Sequence, residues 1–223
     1  MVLDPTESGG YEIDERHLLL DTNDEDQLLM DEAAHYVKYA SCIYVKLRNM
    51  LTDHFTFEEK IDRFVRPLQT LYAQEYNLSS IGMNNAFLCY GNFVNGIVQT
   101  PYAIILDEEM KKIVIVVRGT RSLEDLVVDL QFIPESLSEV GCTCGFHGDG
   151  YYCHQGFLLR SKWIYNDIKL QQVLKTLYSS VSPYNSYRLV ITGHSLGAGV
   201  SSILALMLRP AFPSLKCFAY EVS

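Results

Sequence analysis

Arg188-Leu189-Val190-Ile191-Thr192-Gly193-His194-Ser195-Leu196-Gly197-Ala198-Gly199 is the stretch whose reading decides the fold of this chain. Val190-Ile191-Thr192 is β-branched throughout and predicts a buried parallel strand. Val200-Ser201-Ser202-Ile203-Leu204-Ala205-Leu206-Met207-Leu208 predicts a buried helix directly after it. A serine set between glycines at such a junction is the pattern of a nucleophile elbow. Gly193 and Gly197 stand where strand and helix pass close, and Ser195, with His194 before it, occupies strained backbone that projects the hydroxyl. The N–H of Leu196, at the helix start, is then aimed at any oxyanion that forms beside Ser195. A chance glycine-rich turn is the competing reading, and the two flanks decide against it.

Working outward, Lys216-Cys217-Phe218-Ala219-Tyr220 predicts a further strand. Upstream, Tyr102 to Leu106 and Ile113 to Val117 flank the polar segment Asp107-Glu108-Glu109-Met110-Lys111-Lys112, which predicts a β-hairpin. Ile164, Ile168, Val173, Leu174 and Leu177 mark one helix, with Trp163 adding bulk. Nearer the amino terminus, Thr22-Asn23-Asp24-Glu25 forms a capping box ahead of Leu28, Leu29, Ala33, Tyr36, Val37, Ala40 and Tyr44 at helical spacing. Residues 54–80 also look helical, divided at Pro67. Strands alternating with helices behind a hairpin indicate an α/β sheet. The expected division is a loose arm over residues 1–27 and one domain over 28–223.

Charge and composition narrow the function. Eighteen Lys and Arg against 27 Asp and Glu give a formal net charge of −9. That argues against a nucleic-acid groove, whose phosphates need clustered cations. No run approaches the roughly 18 apolar residues of a membrane span, and Met1 to Gly10 lacks the layout of a secretory leader. Six scattered cysteines in a chain of this length fit reduced thiols. Cys142, Cys144, His147, Cys153 and His154 are close in sequence, but their spacing fits no common zinc finger, so no metal site is expected. The acidic group Asp21, Asp24, Glu25 and Asp26 lacks the glycine and terminal Glu of a calcium loop and reads as a solvated helix start.

Acyl transfer from a serine needs a second oxyanion donor, from a loop leaving a neighbouring strand. Val117-Arg118-Gly119-Thr120 sits where that loop belongs. Val116 to Thr120, then Asp129-Leu130, then His154-Gln155-Gly156-Phe157, then Thr192 to Gly199, in that order, resembles the class 3 (fungal-type) lipases. Within them the elbow and the strand Leu215 to Tyr220 look most like the sn-1-specific diacylglycerol lipases. The resemblance covers roughly residues 28–220 and implies an α/β-hydrolase fold. It further implies Ser195 as the catalytic nucleophile, Leu196 and Thr120 as the oxyanion hole, and Ser122 to Leu130 as the lid region. The reaction it implies is cleavage of the sn-1 ester of diacylglycerol to 2-monoacylglycerol and fatty acid. His154, in the H-x-G-F segment, reads as structural rather than catalytic.

One departure bears on activity. Hydrolases of this fold run Ser, then Asp, then His along the chain. No Asp or His follows Ser195 here. The expectation is a truncated chain whose carboxy-terminal strands and helices are missing, and the rival function is a non-catalytic lipid-binding or regulatory form. No cofactor is evident from the residues, and calcium enters through the resemblance alone. The expected partners are diacylglycerol and a membrane surface, and no nucleic acid. Membrane association follows from the resemblance, and with no spanning segment the expected location is cytoplasmic or peripheral.

Overall fold

The computed structural model describes residues 24–43, 78, 83–119 and 133–220. The segments 54–77, Thr120 and Ser122 to Leu130 therefore lie outside the described residues. The chain divides into two compact units, Met1–Ala34 and His35–Ser223. Helix α1 covers Asp24–Cys42, with Asp24, Glu25 and Asp26 in its first turn, where carboxylates suit the helix dipole. Residues 24–27, grouped with the arm on sequence, are thus helical.

The second unit is built on a mixed sheet. Its described strands are β1 (Ala86–Asn92), β2 (Tyr102–Asp107), β3 (Lys112–Val117), β6 (Arg188–His194) and β7 (Lys216–Tyr220), in the order β1-β2-β3-β6-β7. Strands β2 and β3 form the expected hairpin, antiparallel with Tyr102 opposite Val117 and Asp107 opposite Lys112. From β3 onward the sheet is parallel, with Val117 beside Gly193 and Gly193 beside Ala219. A small second sheet pairs β4 (Pro134–Ser136) with β5 (Tyr152–His154).

Between these strands run α2 (Ser138–Cys144), α3 (Gln155–Leu170), α4 (Val173–Leu177) and α5 (Leu196–Leu208). The period of two in β3 sends Ile113, Ile115 and Val117 to one face, where they meet Ile164 and Ile168 of α3 and Val200 and Leu204 of α5. Val114 and Val116 are equally buried on the opposite face. Covering both faces explains why these strands read as continuous apolar runs rather than alternating ones. Each fully buried Ile or Val contributes about 2 kcal/mol relative to exposure.

The single helix expected through Leu177 is two helices. Gln172 adopts φ 54°, ψ 24°, and breaks the chain between α3 and α4. The reason is in the spacing: Val173 lies five residues after Ile168, which an unbroken helix would rotate away from the core. The left-handed residue turns Val173, Leu174 and Leu177 back inward, where all three are buried.

Strand β1 was not signalled by the sequence. Its residues are largely buried but follow no alternation, and its pairing with β2 shifts register between Leu88 and Tyr90. Its end is tied to α3 by one carboxylate: Asp167 Oδ2 accepts from Tyr102 at 2.7 Å, Asn92 at 2.9 Å and Tyr90 at 3.0 Å. Burial and that carboxylate push both tyrosine hydroxyls well above their ordinary range, so they remain donors.

Candidate active site

Ser195 occupies the position before the first turn of α5, where a serine ordinarily takes extended backbone and caps the helix with its side chain. Here it does neither. Its backbone is at φ 57°, ψ −127°, and its side chain makes no capping hydrogen bond. The hydroxyl is therefore not committed to the helix amides. A non-glycine residue held in this region is strained, and it persists only where its surroundings over-determine it.

Those surroundings are close backbone contacts. A Cβ on Gly193 would overlap the Gly197 carbonyl and lie 2.6 Å from Ser201 Oγ. A Cβ on Gly197 would lie 2.5 Å from the carbonyl oxygen of Val117 and 3.0 Å from the Gly119 nitrogen. Only glycine allows α5 to begin so near the ends of β3 and β6. The Ser195 N–H donates to the Tyr220 carbonyl at 2.9 Å, so β7 fixes the turn from the other side. Ala198 N–H donates back to the Ser195 carbonyl at 2.8 Å and closes the first turn.

Leu196 is the first residue of a 13-residue helix, and its N–H is among those with no partner inside the helix. The helix dipole adds partial positive charge at the same point. The segment Val117-Arg118-Gly119 lies against Gly197, so the loop that leaves β3 starts beside Leu196. The structure thus brings Gly193, His194, Ser195, Leu196 and Gly197 together with Gly119. Thr120, the expected second donor, lies outside the described residues.

The H-x-G-F segment has a clear structural place. His154 caps α3, its Nδ1 accepting from the Gly156 N–H at 3.0 Å. Phe157 fills the space that a Cβ on Gly199 would enter, which couples α3 to the elbow helix. Ser161 strengthens that coupling by donating to the Val200 carbonyl at 2.9 Å. Phe157 and Gly199 lie 42 residues apart, and no local pattern marks their contact.

Sulfur does not compete with the serine. Burial pushes the Cys89 thiol up to about 12 and Cys217, on the strand beside β6, up to about 11, so both stay protonated near neutrality. All six cysteines are free. Among the described residues, no three His, Cys, Asp or Glu side chains are placed to hold a metal ion. The remaining described histidines are engaged away from the elbow. His35 pairs with Asp107, and His147 sits edge-on to the Tyr151 ring at 6.0 Å.

A serine on a strained strand-to-helix turn of a mixed sheet with helices on it defines an α/β-hydrolase fold. Residues 114–220 match the family described as lipase (class 3). Human diacylglycerol lipase-alpha is 34% identical over 136 residues, covering 60% of this chain and 13% of that protein. Mouse diacylglycerol lipase-beta is 31% identical over 144 residues, covering 65% of this chain and 20% of that protein. The crystal structure of a mutant form of MDLA from Penicillium cyclopium superposes with a TM-score of 0.59 at 25% identity. It covers 90% of this chain and 63% of its own. The chain thus spans a small fraction of the diacylglycerol lipases it matches. Among the described residues, no helix is long and apolar enough to cross a membrane.

Proposed function

We propose that this chain carries the nucleophile and oxyanion side of an acylglycerol lipase that cleaves the sn-1 ester of diacylglycerol through an acyl-Ser195 intermediate. The observation that carries the reading is the backbone of Ser195, held at φ 57°, ψ −127° with its side chain free of capping duty. In the reaction, Ser195 Oγ attacks the ester carbonyl carbon and loses its proton to a general base. The carbonyl oxygen becomes an oxyanion held by the Leu196 N–H, with Thr120 as the second donor. Collapse expels the monoacylglycerol, and water then releases the fatty acid from the serine. His194 and the glycines Gly193 and Gly197 shape the turn and do not touch the reacting atoms.

A second reading is that the chain holds lipid without turnover. In that reading the elbow edge of the sheet contacts lipid and Ser195 is not activated. A fluorophosphonate probe separates the two, since it labels only an activated serine. Labelling of the wild-type chain that disappears in Ser195→Ala supports the lipase reading. Folded wild-type protein that takes up no probe refutes it for this chain and leaves the binding reading.

A further inference from the structure

The sheet register runs in one row from Asn92 through Tyr102 and Val117 to Gly193. At about 4.8 Å per strand, the end of β1 lies about 14 Å from the elbow, on the same edge of the sheet. The loop joining β1 to β2, residues 93–101, therefore emerges on the side where Ser195 is presented. Its tip is apolar and open to solvent. Ile97 is 88% exposed and Val94 57% exposed. The tip is also held in shape: Gly96 N–H donates to the Gln99 carbonyl at 3.1 Å, and Val94 N–H donates to Asn92 Oδ1 at 3.2 Å. Ile97 and Val94 on one tied turn make an exposed apolar patch on the elbow side of the sheet.

Charge indicates what covers it. The chain has 45 charged Lys, Arg, Asp and Glu residues, yet none, and no histidine, occurs between Glu75 and Asp107. A loop that bound a charged protein partner would carry matching charge. This one offers only apolar side chains with Asn, Gln and Thr, the composition suited to entering the boundary between headgroups and acyl chains. The net charge of −9 works against an anionic surface. We propose that the Phe93 to Pro101 loop is a lipid-contact element that seats the elbow edge of the sheet on a neutral or zwitterionic lipid surface, with Ile97 and Val94 as the inserted side chains. The inference rests on the lipase reading for its substrate, and its test is independent of turnover.

The test uses the full chain carrying Ser195→Ala, so that no ester is consumed, and flotation with phosphatidylcholine vesicles containing dioleoylglycerol. Binding is expected, and Ile97→Asp and Val94→Asp each weaken it by about tenfold. Val181→Asp is the control, because Val181 is 91% exposed but lies ahead of β6, at the opposite edge of the sheet. It is expected to leave binding unchanged, as are the thermal midpoints of all three variants. Replacing a third of the phosphatidylcholine with phosphatidylserine is expected to reduce binding. Equal binding by Ile97→Asp and Val181→Asp overturns the proposal. So does a dimer in sedimentation velocity that Ile97→Asp dissociates, which would assign the loop to a second copy of the chain. Vesicle binding that depends on Ile97, with no fluorophosphonate labelling of wild type, would uphold the loop while refuting the lipase reading.

Discussion

The two ends of the parallel strands treat polar groups in opposite ways. Where β3 and β6 end, Ser195 sits on strained backbone with its side chain making no capping bond, and Gly193 and Gly197 let the backbone pass close around it. At the other end, Asp107 is fully buried and three donors converge on its carboxylate. His35 Nε2 donates to Oδ2 at 2.7 Å, Tyr39 OH donates to Oδ2 at 2.8 Å, and Met110 N–H donates to Oδ1 at 2.9 Å. An Asp–His pair is half of a triad in composition, but this one lies at the opposite end of the strands, more than about 16 Å from the elbow. Residue types alone do not mark a catalytic group. A saturated carboxylate fastens a helix to the sheet, while the serine on strained backbone does not spend its side chain on capping the helix.

The strongest way to break the comparison is Gly197→Ala. Its Cβ would meet the Val117–Gly119 backbone, which cannot rotate away, so a loss of about 3 kcal/mol is expected. Urea unfolding measures it, and fluorophosphonate labelling is expected to fall with it. A stable, fully labelled Gly197→Ala protein would mean that the elbow does not depend on that close approach.

Asp107→Asn probes the opposite end. Burial alone would push the Asp107 carboxyl up, but the hydrogen bonds from His35, Met110 and Tyr39 outweigh it and hold the carboxyl below the ordinary range. Replacing the charge is expected to cost about 2–3 kcal/mol while labelling of Ser195 persists. A lowered folded-state value means the stabilisation is present above the unfolded value, near pH 4, and is lost as pH falls through the folded value. Acid titration of stability should therefore separate wild type from Asp107→Asn above about pH 4 and bring the two together below it.

Tyr102→Phe is the mildest test. Asp167 keeps Tyr90 and Asn92, so the loss is expected to be about 1–2 kcal/mol, read as a shift in the urea midpoint with labelling unchanged. A loss of labelling would instead tie this carboxylate cluster to the elbow's geometry.

Legibility followed the range of the interactions. Val190 to Gly199, the β2–β3 hairpin and the strand Lys216 to Tyr220 were readable because β-branched runs and glycine spacing act over a few residues. Strand β1 was not, since Ala86–Asn92 carries no period and its burial depends on β2 and α3. The break at Gln172 was hidden for a similar reason: glutamine carries no turn signal, and only the core's demand on Val173 and Leu177 sets its conformation. Gly193, His194, Ser195, Leu196 and Gly197 lie at the junction of β6 and α5.

The sequence by itself determined that a serine would sit on a glycine-framed turn between a buried strand and a buried helix. That is a local property, written in steric size and hydrophobic period. Only the tertiary structure decided what surrounds the turn. Parallel pairing put Val117 and Gly119 against Gly197, Phe157 against Gly199, and the uncharged loop at the same edge. It also paired His35 with Asp107, 72 residues away, at the edge where neither can reach Ser195. These contacts join residues far apart in the chain, and their partners are chosen by sheet order and register, which no short stretch encodes.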